Sequence, residues 1–154
     1  MAGLYLEQFE IGRVFRHEIR RTVTESDNVW FCATTYNPAP IHIDADYCAH
    51  TEFGRPLVNS IFTLGLVIGL SVQDTTLGTT IANLGMTDVR FPKPVFAGDT
   101  LRSVTTVVEI RESKSRSNAG IVTFRHEGFS QRDELVCVCL RQALMLKQLA
   151  ASAG

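Results

Sequence analysis

The 154-residue sequence lacks an excess of charge of either sign. Its 15 lysine and arginine residues stand against 16 aspartate and glutamate residues, so the formal net charge is −1 at pH 7. Nucleic acids and anionic membranes attract proteins through basic surfaces. The even balance gives no sign of such a surface, and we expect neither a nucleic acid nor a membrane as a partner.

Long apolar runs and the features of a signal peptide are also missing. The longest apolar stretch, residues 61–72, is too short to cross a bilayer and contains two glycines. The N-terminal residues mix charged with apolar side chains, unlike a secretory leader. We therefore expect a cytoplasmic protein, in which thiols stay reduced.

Cysteine and histidine are scarce, with four residues of each, and neither type has the spacing of a metal site. Cys137 and Cys139 lie in an alternating apolar run, where both would point to one face of a strand as buried thiols. His17, His50 and His126 are scattered along the chain. The sequence therefore predicts no metal site and no bound cofactor.

The sequence does contain enough apolar residues for one core. Hydrophobic residues make up 45% of the chain, which suits a single domain over residues 1–154. The first part predicts a strand or a short strand pair at 12–24. A helix should follow at 25–35, with Thr24 and Asp27 forming a capping box at its start.

Two prolines dominate the next stretch, YNPAPIHIDADYC. Pro38 should end the helix, and Pro40 should keep the chain extended through Ile41. Asp44 then suits the N-cap position of a short helix over 45–50. This stretch is therefore predicted to be a rigid loop between two helices.

The middle of the sequence is strongly apolar over 59–74. Because it is apolar on nearly all sides, we expect one long buried helix, capped by Asn59 or Ser60, with Gly65 and Gly69 packed closely against a sheet. Four strands should follow, at 79–91, 100–110, 121–129 and 134–147. An antiparallel sheet curled around a central helix is the simplest arrangement, an α+β fold whose open side favours a homodimer.

His42 is the best candidate for a catalytic residue. An imidazole can pass a proton in either direction near neutral pH, and a rigid loop would hold it in place. A loop histidine bonded to a backbone carbonyl is the alternative interpretation. Asn37 could hold a water or a carbonyl oxygen, although an Asn-Pro turn explains it as well. Asp44 could orient His42 or only cap a helix.

Two further groups of residues could contact a substrate. Backbone N–H groups at Asn59 and Ser60, at the start of the apolar helix, could stabilise an oxyanion whether or not a side chain also caps the helix. Arg90 and Lys93 flank Phe91 on a proline-rich loop. There they could bind phosphates or remain solvated.

Three segments together resemble the MaoC-like dehydratase family, which includes the (R)-specific enoyl-CoA hydratases. The segments are NPAPIHID at 37–44, FGRPLVNSI at 53–61 and FPKPVFAGD at 91–99. The resemblance covers most of the chain and keeps the order and spacing of the segments. It implies a dimeric hotdog fold and the addition of water to an enoyl-CoA, or its removal, with CoA along the dimer interface.

The resemblance also implies roles for single residues. His42 falls on the family histidine that holds the water, Asp44 on a downstream aspartate, and Ser60 on the position whose backbone N–H meets the thioester oxygen. Asn37 stands where the family has its catalytic aspartate, so it could orient a water but could not act as a base. Together with the two loop cations named above, the substrate-binding residues that we expect are Phe53, Arg55, Pro56, Asn59, Arg90 and Lys93.

The segment TEFGRPLVNS together with Asn37 is similar to a subgroup associated with branched or dicarboxylic C5 acyl-CoAs of the mesaconyl, itaconyl or methylmalyl type. We therefore expect a hydro-lyase for a short or branched enoyl-CoA or 3-hydroxyacyl-CoA, with Arg55 as a candidate cation for a second carboxylate. Two alternatives stay open. One is a hotdog acyl-CoA thioesterase, and the other is a non-catalytic acyl-CoA-binding subunit, which loss of the family aspartate would explain.

Overall fold

Five strands form one antiparallel sheet in the computed structural model, which describes residues 3–148. They are β1 (Val14–Thr22), β2 (Thr80–Arg90), β3 (Thr100–Glu112), β4 (Ala119–Phe129) and β5 (Leu135–Leu146). Their spatial order is β1–β3–β4–β5–β2, so β1 and β2 are the edges of the sheet. The four strands predicted for the second half are all present, and the predicted α+β class is confirmed.

Within residues 3–148, the α-helices all lie between β1 and β2. They are α1 (Glu25–Thr34), α2 (Pro40–Ile43), α3 (Ala45–Ala49), α4 (Ser60–Gly69) and α5 (Val72–Thr75). The capping box predicted for α1 is present, because the Asp27 N–H donates to the Thr24 hydroxyl and the Thr24 N–H donates to the Asp27 carboxylate. In this part of the chain, no helix is long and apolar enough to cross a membrane.

Two expectations about the path of the chain are wrong. Pro40 does not keep the chain extended, because it begins α2, where the fixed φ of proline suits a helix and its missing N–H is not needed. The apolar stretch is not one helix, since α4 ends at Gly69 and α5 begins at Val72. Between them the Ser71 hydroxyl donates to the Ile68 carbonyl at 2.6 Å. Such a local side-chain bond competes with a continued helix.

One side of α4 packs against the sheet. At Gly128 of β4 the helix lies so close to the sheet that an added Cβ atom would clash with the side chain of Val67. The cluster under α4 includes Leu64, Val67, Leu70, Leu101, Val136, Cys137 and Cys139. A second cluster fills the other end of the same face beneath the N-terminal segment, and consists of Leu6, Phe9, Val107, Val122, Phe124, Ala143 and Met145.

The opposite side of α4 is exposed in the single chain, although the apolar sequence predicted burial on most sides of the helix. Ile61 is 58% exposed, and a Cβ atom added at Gly65 or Gly69 would meet no atom of residues 3–148 within 4 Å. The expectation that these glycines pack against the sheet is therefore wrong. The edge strand β2 also exposes apolar side chains, including Leu84 and Met86. Apolar surface thus remains uncovered along α4 and β2.

The predicted state of the two strand thiols is confirmed. Cys137 and Cys139 are free and fully buried in β5. Burial raises the pKa of the Cys137 thiol to about 12. Both residues therefore act as small apolar side chains in the core.

Candidate active site

His42 lies on α2, with its side chain partly buried. Its Nδ1 atom lies 2.9 Å from the carbonyl oxygen of Leu57. Because a carbonyl oxygen can only accept, this contact requires a proton on Nδ1 and leaves Nε2 of the neutral ring as a lone pair. The backbone contact that was the alternative interpretation of His42 therefore also prepares Nε2 to take a proton.

His42 and Ser60 line one cavity of about 250 Å³. Its walls come from the chain before α4, from the loop between β2 and β3, and from β5. The other lining residues are Phe53, Leu57, Val58, Phe91, Lys93, Pro94, Val95 and Val136. Apolar walls around a few polar groups are typical of a binding site for a small organic group. The structure thus brings together parts of all three sequence segments singled out above.

The start of α4 faces this cavity. Asn59 caps the helix, because its Oδ1 accepts a hydrogen bond from the Ile61 N–H at 2.9 Å. Ser60 is the first helical residue, so the helix itself offers its N–H no acceptor. That N–H lies at the positive end of the helix dipole, where negative charge is stabilised.

Asn28 of α1 ties these elements together, and the sequence reasoning missed it. The residue is 4% exposed, and its Nδ2 donates to the carbonyl oxygens of His42 and Leu57, both at 2.9 Å. Its Oδ1 accepts from the Asn59 N–H at 2.8 Å. One amide therefore holds the backbone of His42, the carbonyl that orients its ring, and the start of α4. The only local signal was an asparagine inside a helix, where its propensity is poor.

Asn37 does not line the cavity of His42. Its Oδ1 accepts from the Ala39 N–H at 3.0 Å, which is the side-chain turn expected of an Asn-Pro sequence. The residue borders a separate groove with Cys32 and Pro38. The geometry therefore shows the turn role, and a role in orienting water stays a prediction.

Asp44 caps α3 and does not contact the ring of His42. Its Oδ1 accepts from the Tyr47 N–H at 2.9 Å. Of its two interpretations, the structure shows helix capping.

The structure separates the predicted cations. Lys93 lines the cavity. Arg55 stacks on Phe96, with its Cζ atom 4.0 Å from the ring centroid, and does not line it. Arg90 borders another groove, which Asp88, Arg125 and residues of β5 also line. Pro56 belongs to the segment before α4 but is not among the lining residues.

The loop that carries Lys93 is fixed by Asp99, which is 3% exposed. The Asp99 carboxylate accepts from the Phe96 N–H at 3.0 Å, from Gln131 Nε2 at 2.9 Å and from Arg132 Nη1 at 3.0 Å. Burial alone would raise the pKa of Asp99, but these hydrogen bonds and the charge of Arg132 bring it below its ordinary value. These three contacts, which we call the Asp99 clamp, therefore hold one wall of the cavity at neutral pH.

Comparison with known proteins identifies the family of this chain. The family model of the MaoC like domain matches residues 7–128. A mesaconyl-CoA hydratase of Cereibacter sphaeroides is 29% identical over 98% of this chain and 43% of its own length. The chain thus spans less than half the length of that curated relative.

Two solved structures share the fold over nearly the whole chain. A protein described as a monoamine oxidase regulatory protein from Archaeoglobus fulgidus is 33% identical, with a TM-score of 0.84 over 96% of this chain and 97% of that one. A Mycobacterium tuberculosis protein described as a double hotdog fold is 26% identical, with a TM-score of 0.85 over 99% of this chain and 47% of that one. The chain therefore has the hotdog fold and belongs to the family of the MaoC like domain.

Proposed function

We propose that this protein is a hydro-lyase that adds water to the 2,3 double bond of a short or branched enoyl-CoA, or removes it from the corresponding 3-hydroxyacyl-CoA. The observation that carries the proposal is the presence of His42 and the first N–H of α4 in one apolar cavity. The mesaconyl-CoA hydratase relative supports a C5 dicarboxylic CoA ester as the substrate.

His42 and the Ser60 N–H match the two requirements of the reaction, which are a base for the proton and a donor to the developing oxyanion. In hydration, water attacks C3 while His42 Nε2 takes its proton, and the electrons of the double bond move onto the thioester oxygen. The Ser60 N–H donates to that oxygen as its charge develops. The enolate then takes the proton back from Nε2 at C2. Dehydration follows the same steps in reverse.

This cycle needs one base. The proton that Nε2 removes from water is the proton that C2 requires. The protons therefore balance without a catalytic carboxylate. Asn37 cannot take a proton and forms a turn with Ala39. The proposal therefore assigns proton transfer to His42 alone. Lys93 supplies a positive charge beside the cavity for a phosphate of CoA.

We further infer a homodimer formed through β2 and α4. The edge strand β2 has unpaired backbone groups, which favour pairing with another strand. Along α4, Ile61, Gly65 and Gly69 are four residues apart and form an exposed stripe. A second copy placed by a two-fold axis would cover both surfaces. The double hotdog relative, of which this chain covers 47%, supports the pairing of two such units.

The test is the loss of absorbance at the enoyl-thioester band with mesaconyl-, itaconyl- and crotonyl-CoA. We expect His42→Ala to lower kcat by about a hundredfold or more, the usual size of a general-base contribution. Equal rates for the wild type and this variant would exclude His42 as the base. Thiol release detected with a colorimetric reagent would indicate a thioesterase. Binding of CoA esters by calorimetry without turnover would indicate a non-catalytic subunit.

A further inference from the structure

The cavity of His42 has no carboxylate or amide side chain among the lining residues within 3–148. Its polar side chains are those of His42, Ser60 and Lys93, and the remaining walls are apolar. Asn37 borders a separate groove, where its Oδ1 is bonded within its own turn. Asp44 caps α3. The cavity therefore contains a base and an oxyanion donor, but no carboxylate that could act as a second base.

Nε2 of His42 can exchange a proton with both a substrate and water. The contact between Nδ1 and the Leu57 carbonyl oxygen leaves the lone pair of the neutral ring on Nε2. Among residues 3–148, Nε2 has no hydrogen-bond partner, and it is accessible to solvent. No side chain of this part of the chain relays a proton away from it. A proton that Nε2 accepts therefore returns to the substrate or passes to water.

The base and the oxyanion donor are held in place before a substrate binds. Asn28 Nδ2 donates to the backbone carbonyls of His42 and Leu57. Asn28 Oδ1 accepts from the N–H of Asn59, the N-cap of α4. The Leu57 N–H also donates to the Ile41 carbonyl at 2.9 Å, which joins the two segments through the backbone. None of these contacts needs a hydroxyl group on the substrate, so the arrangement is ready for any acyl thioester that enters the cavity.

Removal of a hydrogen from C2 of a thioester requires only these two groups. The electron pair of the C2–H bond forms a double bond between C1 and C2, and the carbonyl pair moves onto the thioester oxygen. There the Ser60 N–H donates to the developing charge. The proton goes to Nε2 of His42. The step uses neither a water nor a leaving group at C3, so it does not depend on a double bond or a hydroxyl group in the substrate.

We propose that the protein has a further activity, the exchange of one C2 hydrogen of saturated acyl-CoA thioesters with solvent through an enolate. The inference rests on the base and the oxyanion donor of the proposed function, and it extends them to substrates that cannot be hydrated. In deuterium oxide, the proton on Nε2 is replaced by a deuteron, which the enolate then takes at C2. One C–H bond becomes a C–D bond, and one molecule of deuterium oxide becomes HDO.

A single base limits the exchange to one of the two C2 hydrogens. The enolate is planar and His42 lies on one of its faces, so the hydrogen is removed and returned on the same face. Within residues 3–148, no carboxylate and no other histidine lines the cavity to act from the opposite face. Butyryl-CoA should therefore gain one deuterium at C2 and not two.

Mass spectrometry of butyryl-CoA incubated with the protein in deuterium oxide tests the exchange. We expect incorporation to stop at one deuterium per molecule, and His42→Ala should lower its rate about a hundredfold or more. His50→Ala is the matched control and should leave the rate unchanged. His50 is an exposed histidine whose Nδ1 likewise contacts a backbone carbonyl oxygen, that of Asp46 at 2.8 Å.

Three results would overturn the proposal. The first is an exchange no faster than that of butyryl-CoA without protein. The second is an equal rate for the wild type and His42→Ala. The third is the incorporation of a second deuterium, which would require a base on the other face of the enolate.

If His42→Ala does not fold, the two variants of Ser60 carry the test. Ser60→Pro removes the backbone N–H and should slow the exchange about 100- to 1000-fold, whereas Ser60→Ala keeps the N–H and should slow it much less. Equal exchange rates in the wild type and both variants would overturn the enolate step.

Hydration of crotonyl-CoA by the same samples separates this inference from the proposed function. Hydration without exchange of butyryl-CoA would overturn the further activity and leave the hydro-lyase supported. Exchange without hydration would support the further activity and refute the hydro-lyase. Absence of both would overturn both.

Discussion

The carbonyl oxygen of Leu57 lies 2.9 Å from Nδ1 of His42, and Asn28 Nδ2 donates to the same oxygen from α1. A backbone carbonyl just before α4 therefore sets which nitrogen of the imidazole carries the proton. The ring belongs to the segment 37–44, whereas the carbonyl and the helix start both belong to the segment 53–61. All three depend on the buried amide of Asn28. A substitution at Asn28 therefore tests the geometry of the site without changing a reacting group.

Removing the side-chain amide of Asn28 should lower activity by more than the accompanying loss of stability explains. Asn28→Ala loses the bonds to His42, Leu57 and Asn59, and misplacement of the base should reduce kcat about 10- to 100-fold with little change in KM. Loss of buried hydrogen bonds should also lower the free energy of unfolding by about 1–3 kcal/mol. The matched control is Val122→Ala, in the other core cluster. It should lower stability but not kcat, and equal kcat losses in both variants would contradict the role of Asn28.

Replacing Ser60 with proline isolates the backbone N–H. Proline is tolerated at the first helical position, and Asn59, with φ −58° and ψ 129°, already has the conformation that proline requires of its neighbour. Ser60→Pro should therefore fold, yet lower kcat about 100- to 1000-fold through loss of the oxyanion donor. Ser60→Ala keeps the N–H and should lose much less. Similar losses in the two variants would place the effect in the hydroxyl group.

The Asp99 clamp should make stability depend on pH in one direction. Its pKa is lower in the folded protein than in the unfolded chain, so its contribution is complete above the unfolded value of about 3.9 and declines as the pH falls through the folded value. Asp99→Asn should lower the free energy of unfolding by about 2 kcal/mol at pH 7. Urea unfolding at pH 7 and near pH 3 should show this difference shrinking at the lower pH.

Asp133→Asn serves as the control for that series. Asp133 pairs with Arg102 at the surface, with 79% of its side chain exposed, so its removal should cost less than about 0.5 kcal/mol. A constant effect of Asp99→Asn at both pH values would contradict the charge-based role.

A charge at Gly65 should dissociate the dimer without unfolding the chain. A Cβ atom at Gly65 would meet nothing within 4 Å among the residues that the structure describes, so Gly65→Glu should fit the monomer but place a carboxylate in the proposed apolar interface. Sedimentation should show a monomer with little change in secondary structure. Val108→Glu, on the exposed side of β3, is the control and should remain dimeric. A dimeric Gly65→Glu variant would exclude this face of α4.

Local signals explain what could be predicted from the sequence. The capping box of α1 and the Asp44 cap of α3 depend on residues three positions apart, so a pattern suffices to predict them. The second half of the sequence alternates between apolar and polar residues, and this local pattern likewise predicted its strands. Pro40 was misjudged because the first turn of a helix and an extended loop suit proline equally well, and only the contacts of the following residues decide between them.

Distant contacts explain what could not be predicted. The importance of Asn28 comes from carbonyl groups 14 and 29 residues away, which no local pattern contains. Gly65 and Gly69 were predicted to pack against the sheet. Their spacing along the sequence cannot show which side of an apolar helix the sheet covers.

The hydroxyl group of Thr105 stands between two imidazole rings and has a single proton to give. While His17 is neutral and donates from Nδ1 to Asp74, its Nε2 must receive that proton, and Thr105 must then accept from Nδ1 of His126. If His17 carries a second proton, its Nδ1 still donates to Asp74, but both bonds of Thr105 reverse and the proton of His126 lies on Nε2. The ionisation of a histidine beside a half-exposed aspartate therefore determines the tautomer of a fully buried ring two strands away.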